Sequence, residues 1–275
     1  MNISEWLKSA TKQLKDIGIE SARLDAELIL AETLRKPRTY LHTHLDETID
    51  PRRIDIAYAR LDLRKDRVPL AYITGSKEFY GREFSVSPHV LIPRPESEDM
   101  IELLLEASAN DISRHITLID VGTGSGCLGI TAKLERPDMA VILSDTSPQA
   151  LDVAGKNATE LGADVKLQQQ DLLAGQVEPI DYILANLPYV DGTWEVSPET
   201  RHEPQGALFA KDSGLALINE LIEQAPLCTN QGAWLFIEAD PRQHQAIIDY
   251  ASQRSLEHIS TKNYCLSLRR ILTQG

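Results

Sequence analysis

Ile116-Thr117-Leu118-Ile119-Asp120-Val121-Gly122-Thr123-Gly124-Ser125-Gly126-Cys127 decides the fold. Ile116–Asp120 is a short apolar run that ends in a carboxylate. Closely spaced glycines follow, then a segment able to start a helix. Such glycines let the backbone turn tightly off a strand and approach a ligand with no Cβ in the way. The order strand, glycine turn, helix opens a βαβ unit.

The same alternation continues toward the C-terminus. Ala140–Asp145 reads as a second strand, and Ser147-Pro148 supplies an N-cap and a proline for the first helical position. Val165–Gln170, Tyr182–Ala185 and Ala233–Glu238 read as further strands, and Asp240-Pro241 repeats the helix-start signal. His258–Tyr264 and Leu266–Leu272 form the last strand pair. This pattern predicts an α/β fold with a doubly wound sheet over residues 93–275.

The residues before it differ. Leu7, Ala10, Leu14 and Ile17 recur at helical spacing, with Gly18 as the stop. Leu24, Leu28 and Ala31 continue the pattern, and Ile54, Ala57, Tyr58 and Leu61 mark another helix. Residues 1–67 are therefore expected to be a small all-α bundle. Residues 68–92 alternate and carry turn glycines at Gly75 and Gly81, which predicts a β-hairpin linker.

Composition narrows the class. The net charge is −13, and it is uneven. Residues 1–85 hold 15 Lys+Arg against 14 Asp+Glu, whereas the remainder holds 13 against 27. An acidic α/β half disfavours wrapping duplex nucleic acid, which calls for a basic face. No apolar run reaches the ~20 residues of a membrane span. The first residues lack the apolar core of a secretory signal. Cys127, Cys228 and Cys265 are scattered, with no CxxC, and read as reduced thiols of a cytoplasmic protein with no metal site. His42 and His44 flank Thr43 with no third ligand nearby and read as surface residues.

Gly124-Ser125-Gly126-Cys127-Leu128-Gly129 fits GxGxxG, which suits a dinucleotide as well as S-adenosylmethionine. Asp145 lies 19 residues after Gly126, where an acid holds ribose hydroxyls; the alternative is a helix-capping Asp beside a turn with no ligand. Asp120 separates the two cofactors. Pyrophosphate on a helix N-terminus has little use for a carboxylate beside it. S-adenosylmethionine carries no phosphate but an ammonium and a sulfonium, and Asp120 fits that ligand better.

The second motif is Asn186-Leu187-Pro188-Tyr189, directly after Tyr182–Ala185. An amide nitrogen is a poor nucleophile because its lone pair is delocalised into the carbonyl. An Asn side-chain oxygen and a nearby backbone carbonyl can accept both N–H bonds, face the nitrogen toward a methyl donor and favour the positive charge that develops. A tyrosine ring can stack on the flat amide. The competing reading is a strand-ending Asn-x-Pro turn.

With these motifs in order, the chain resembles the HemK/PrmC family, the peptide chain release factor N5-glutamine methyltransferases. The similarity runs nearly end to end. Ile19 to Leu30 resembles the family's helical domain, and Pro69 to Gly75 with Phe79-Tyr80-Gly81 resembles its linker. Val90-Leu91-Ile92-Pro93-Arg94-Pro95-Glu96-Ser97-Glu98 resembles its most distinctive segment, and Glu203-Pro204-Gln205-Gly206-Ala207-Leu208 the stretch after its catalytic motif.

The resemblance implies a seven-stranded, Rossmann-like S-adenosylmethionine-dependent methyltransferase sheet whose last strand inserts antiparallel. It implies a cofactor site of Gly122, Thr123, Gly124, Ser125 and Gly126, with Asp120 beside them, Asp145 on the ribose, and Asp171 and Leu172 bordering the adenine. Asn186 would touch cofactor and substrate, and Asn186, Leu187, Pro188 and Tyr189 would cradle the glutamine of a Gly-Gly-Gln tripeptide. Arg94 and Glu96 are expected as a lip over the cofactor, with a local ion pair or a helix start as the plainer readings. Trp194 and Glu195 belong to a lid, or Trp194 packs. The implied partner is a release factor, met by a monomer without direct nucleic-acid or membrane contact.

The chain departs from the family at Leu187, where proline is usual. Leu187 still supplies a backbone carbonyl and still precedes Pro188, so the expectation is a looser site with retained chemistry. Glu238-Ala239-Asp240 replaces Glu-x-Gly, and Thr261-Lys262-Asn263-Tyr264 lacks the usual Lys-Asp-x-x-Gly pattern. Competing functions are an adenine-N6 methyltransferase, which needs the same amine cradle but a basic groove beside Asn186, a nicotinamide-dependent dehydrogenase, and a non-catalytic binding protein.

Overall fold

The computed structural model describes residues 1–111 and 115–271, so Leu272, expected in the last strand, lies outside the described residues. The chain divides into two compact units: Met1–Ser76 with Ser197–His202, and Lys77–Val196 with Glu203–Gly275.

The first unit is helical. Helix α1 (Ile3–Asp16) opens on a capping box in which the Glu5 N–H donates to Asn2 Oδ1 at 2.8 Å and the Asn2 N–H to Glu5 Oε2 at 2.9 Å. Ile3, Trp6, Leu7, Ala10 and Leu14 form its buried stripe. Helix α2 (Ala22–Leu34) buries Ala22, Ala26, Ile29 and Leu30 against it. Leu24 is not part of that stripe. It is 42% exposed, and its neighbour Asp25 is buried instead. The reason lies on α4 (Pro51–Lys65), which follows the short α3 (Arg38–Thr43): buried Arg64 donates from Nε to Asp25 Oδ2 at 2.7 Å. A paired charge can be buried where a lone one cannot. From the Ser197–His202 segment of the same unit, Glu199 accepts from Arg64 Nη1 at 3.1 Å and Arg67 Nη1 at 3.4 Å.

The segment from Val68 to Thr74 is not a strand. Leu70–Thr74 is a short helix, α5, capped by extended Pro69 and ended by Gly75 at φ +82°. Proline fixes a φ that suits helix entry, and the left-handed Gly75 stops it, so the turn residues outweigh the apparent alternation. The hairpin is shorter than expected: β1 (Ser76–Phe79) and β2 (Arg82–Ser85).

The second unit is a seven-stranded sheet with helices on both faces. In chain order it runs α6 (Glu98–Ser108), β3 (Ile116–Val121), α7 (Cys127–Glu135), β4 (Met139–Asp145), α8 (Pro148–Leu161), β5 (Lys166–Gln169), β6 (Ile180–Ala185), α9 (Ala216–Cys228), β7 (Thr229–Glu238), α10 (His244–Ser252), β8 (Leu256–Lys262) and β9 (Cys265–Arg270). The strand order is β5-β4-β3-β6-β7-β9-β8, parallel through β7, with β9 antiparallel between β7 and β8. This is the α/β sheet with an antiparallel insertion that the sequence leads one to expect.

Alternate residues on each strand serve opposite faces. Ile119, Ile183 and Leu235 pack with Ile218, Leu221 and Ile222 of α9 and Ile247 of α10. Leu118, Leu184 and Phe236 pack with Met100 and Leu104 of α6, Leu128 of α7 and Phe79 and Phe84 of the hairpin. Ser147 caps α8 as predicted, its Oγ accepting from the Ala150 N–H at 3.2 Å. Among the described residues no helix is long and apolar enough to cross a membrane.

Candidate active site

Between β3 and β6 the strand order reverses direction, and ligands of open α/β sheets bind at the carboxyl ends of the strands beside such a switch point. A cavity of about 460 Å³ opens there, within the size range of small-ligand sites. Gly122, Thr123, Gly124 and Ser125 form one wall; Asp145, Asp171 and Leu172 form a second; Asn186, Leu187 and Pro188 a third; and Arg94 joins them. Residues distant in sequence are thus brought together. Asp120, Gly126 and Tyr189 do not line the cavity.

The glycine turn needs its glycines. Gly124 and Gly126 take φ +54° and +83°, and a Cβ on Gly126 would meet Ile130 Cδ1 at 2.7 Å. Asp120 holds the turn from beneath. Its buried Oδ2 accepts from Thr123 Oγ1 at 2.6 Å and from the Gly129 N–H at 2.9 Å. Its carboxyl is held up at about 6: burial raises it most, the two hydrogen bonds offset part of that, and the charge of Asp145 adds to the rise. Asp145 ends β4 with both oxygens engaged: Oδ2 accepts from the Gly124 N–H at 3.0 Å and Oδ1 from the Ser147 N–H at 2.9 Å. Each oxygen keeps a lone pair for a hydroxyl. Asp145 suits the ribose of either cofactor, but Asp120 under the glycine turn disfavours a pyrophosphate there and suits a cationic ligand, so the site fits S-adenosylmethionine better than a dinucleotide.

The 186–189 turn is held by contacts from four places. Asn186 Nδ2 donates to Ser97 Oγ at 3.0 Å, and Ser97 Oγ donates to Glu238 Oε2 at 2.5 Å. Tyr189 donates from its hydroxyl to Glu238 Oε1 at 3.1 Å; burial, then the charge of Glu238, hold that phenol above its usual range and so neutral. The Tyr189 carbonyl accepts from Gln243 Nε2 at 2.8 Å. Gly214, at φ +85°, passes so close that a Cβ would stand 1.9 Å from that carbonyl oxygen. Leu187 is 4% exposed and packs into the core, its Cδ2 3.1 Å from where a Cβ on Gly122 would lie. The expected looseness at Leu187 is therefore offset by side-chain packing that a proline ring does not supply.

Arg94 does not pair with Glu96. Its Nη2 donates to Glu203 Oε1 at 2.6 Å, and the same buried carboxylate accepts from the Ile92 N–H at 3.3 Å. Residues 92–94 are thereby tied to the loop after the Asn186 motif. Trp194 stacks on the Arg242 guanidinium at 3.7 Å, and Asp240 grips that guanidinium through Nε at 2.7 Å and Nη2 at 2.8 Å. Asp240 thus supports an Arg–Trp stack, which gives the departure at 238–240 a physical content. His42 lies 3.5 Å from buried Glu27, and His44 stacks on Tyr40 at 3.8 Å. Among the described residues no group of three or more His, Cys, Asp or Glu is placed to hold a metal ion.

Ser97, Glu203, Gly214, Glu238 and Gln243 were given no role by the sequence. Signals were present: Ser97 and Glu203 lie in two of the segments that carry the family resemblance, and Glu238 is a carboxylate at the end of an apolar strand, as Asp120 and Asp145 are.

Sheet order, glycine turn and strand-end carboxylates together define a Rossmann-like S-adenosylmethionine-dependent methyltransferase. Residues 98–203 match the methyltransferase small domain family, and residues 5–75 match the PrmC N-terminal domain. The chain is 39% identical over 267 residues to the release factor glutamine methyltransferase of Koribacter versatilis, covering 92% of each chain. It is 34% identical over 256 residues to that of Escherichia coli, covering 90% of this chain and 89% of the other. A solved methyltransferase from Pyrococcus furiosus shares the fold at a TM-score of 0.52 and 16% identity, over 78% of this chain and 98% of that one. The chain belongs to the release factor glutamine methyltransferase family.

Proposed function

We propose that the protein transfers a methyl group from S-adenosylmethionine to the side-chain nitrogen (N5) of the glutamine in the Gly-Gly-Gln motif of peptide chain release factors. The observation that carries this reading is the 186–189 turn at the edge of the cofactor cavity, with Asn186 on the wall and its NH2 committed to Ser97.

S-adenosylmethionine supplies a sulfonium-borne methyl group. Asp145 accepts hydrogen bonds from the ribose hydroxyls, and Asp171 and Leu172 border the adenine. Asn186 Oδ1 and the carbonyl of residue 187 accept the two N–H bonds of the substrate amide. They hold the nitrogen toward the methyl group and stabilise the charge that grows on it as the N–CH3 bond forms and the S–CH3 bond breaks; the thioether leaves neutral and the extra amide proton passes to water. The ring of Tyr189, tied at its hydroxyl to Glu238, supports the planar amide. Arg94 closes the near side of the cavity. The negative charge of the α/β half favours a protein substrate over nucleic acid, and the three free thiols suit a cytoplasmic setting. Residues 1–67 serve to dock the release factor.

Single-turnover methyl transfer to a purified release factor, with the product located by mass spectrometry, tests the proposal. The label is expected on the Gly-Gly-Gln glutamine, and Asn186→Ala is expected to lower turnover ~10²–10³-fold, the scale for losing one preorganised polar group. Label on another residue, or near wild-type turnover by Asn186→Ala, overturns it.

A further inference from the structure

A primary amide has two ends of nearly the same shape, and only one of them can serve Asn186. The oxygen can accept from a substrate N–H; the nitrogen cannot. Local backbone geometry does not choose between them, so something else must. The choice is made by a chain of two hydrogen bonds that starts at a buried carboxylate.

Glu238 stands at the end of β7 and is almost fully buried. As a carboxylate it has no hydrogen to give and accepts at both oxygens, from Ser97 at Oε2 and from Tyr189 at Oε1. Ser97 therefore spends its single hydrogen on Glu238. Its oxygen is left able only to accept, and only the NH2 end of Asn186 can donate to it, as it does at 3.0 Å. The nitrogen end is fixed toward Ser97, and Oδ1 is turned the other way. We infer that Ser97 and Glu238 are positioning residues that set the polarity of the Asn186 amide and so present its oxygen to the substrate nitrogen. This rests on the proposed role of Asn186.

A neutral residue at 238 does not enforce that direction. Glutamine there can offer its NH2 to Ser97, whose hydroxyl then donates to Asn186 Oδ1, and the amide turns over. A buried charge is costly compared with a neutral isostere, so the carboxylate is a choice that packing alone does not explain. A protonated Glu238 has the same freedom as glutamine. Burial raises its carboxyl above the ordinary range, the Ser97 and Tyr189 bonds lower it, the charge of Glu96 raises it further, and the Asn186 side chain, whose NH2 alone can donate to a carboxylate, lowers it. The other titratable groups facing it are the Tyr189 phenol and the thiols of Cys127 and Cys265. All three are pushed up first by burial and then by neighbouring charge, that of Glu238 included, and stay neutral across the working range.

The test measures S-adenosylmethionine affinity by calorimetry, and kcat and KM for the release factor, in wild type, Ser97→Ala, Ser97→Thr and Glu238→Gln. Ser97→Ala and Glu238→Gln are expected to lose about 10- to 100-fold in kcat, part of the loss from removing the Asn186 group itself. Cofactor affinity and KM should stay within about threefold, which a collapsed site would not allow. Threonine keeps the hydroxyl and should restore most of the turnover lost in Ser97→Ala. At saturating cofactor the wild-type kcat should fall on the acid side, and Glu238→Gln should lack that limb. Wild-type kcat in Glu238→Gln, or an acid limb that survives in it, overturns the inference. Failure of the wild-type enzyme to methylate the glutamine counts against the proposed function instead, so the two failures are distinguishable.

Discussion

Replacing Asp145 by alanine or by asparagine separates the two tasks of its carboxylate. One is internal: Oδ2 and Oδ1 tie the glycine turn to the start of α8 through the Gly124 and Ser147 N–H groups, at 3.0 and 2.9 Å. The other is the proposed one: Asp145 lines the cavity, and its remaining lone pairs are assigned to the ribose hydroxyls. Alanine removes both. Hydrogen bonds to a charged acceptor are worth about 1.5–3 kcal/mol, so Asp145→Ala should weaken S-adenosylmethionine binding roughly 10- to 150-fold. Asparagine keeps one oxygen but turns an NH2 toward one of the two backbone N–H groups and drops the charge, so its affinity should fall between alanine and wild type. Titration calorimetry with S-adenosylmethionine gives both values, and NAD added under the same conditions should give no heat. Unchanged affinity in Asp145→Ala would refute the ribose assignment, and tight NAD binding would refute the argument from Asp120.

Two further outcomes follow from the same geometry. Leu187→Pro keeps the backbone carbonyl but deletes a buried side chain, so it should keep methyl transfer while lowering stability by ~1–3 kcal/mol, below the usual cost of emptying a leucine site; urea melts and single-turnover assays check the two halves, and lost turnover with the fold intact would expose a role for the Leu187 N–H. Asp120, raised to about 6 from 3.8, takes up a proton in the free protein as pH falls through 6, and that weakens a site built for a cation. Affinity for S-adenosylmethionine should then drop by up to about tenfold per pH unit below 6, and Asp120→Asn should flatten the slope. Because the folded value lies above the unfolded one, Asp120 costs the free protein stability as pH rises from about 4 to 6, and Asp120→Asn should recover it at pH 7, as thermal melts at both pH values report.

The sheet and both wall-forming motifs were legible because their signals are local. Strand, glycine turn and acid lie within a few residues of each other, and Asn186 to Tyr189 follow one strand directly. What escaped was carried by distance in the chain. Ser97 and Glu238 are 141 residues apart, Arg94 and Glu203 are 109 apart, and no periodicity links them. Leu24 was placed in the α2 stripe because apolar residues are expected inside, and Asp25 took that place through its pair with Arg64, 39 residues on. The Val68–Thr74 error was of another kind. Five residues make too short a helix to show a period, and the decisive signals were Pro69 before it and Gly75 after it.

Leu187 brings these threads to one point. A proline at that position would restrict Asn186 through the local backbone. In its place the turn is fixed from outside: Ser97 and Glu238 act on the Asn186 side chain, Gln243 and the close pass of Gly214 act on the Tyr189 carbonyl, and the core holds the leucine itself. The proposed amide cradle takes a side chain from residue 186 and only a backbone carbonyl from residue 187. On this reading the identity of residue 187 is free to vary as long as the carbonyl keeps its place, whereas residue 97 must keep a hydroxyl and residue 238 a carboxylate, because the polarity of the Asn186 amide depends on them. The family motif is thus less a fixed tetrapeptide than one amide and one carbonyl in a set orientation. Here that orientation is enforced by residues that stand far away in the sequence.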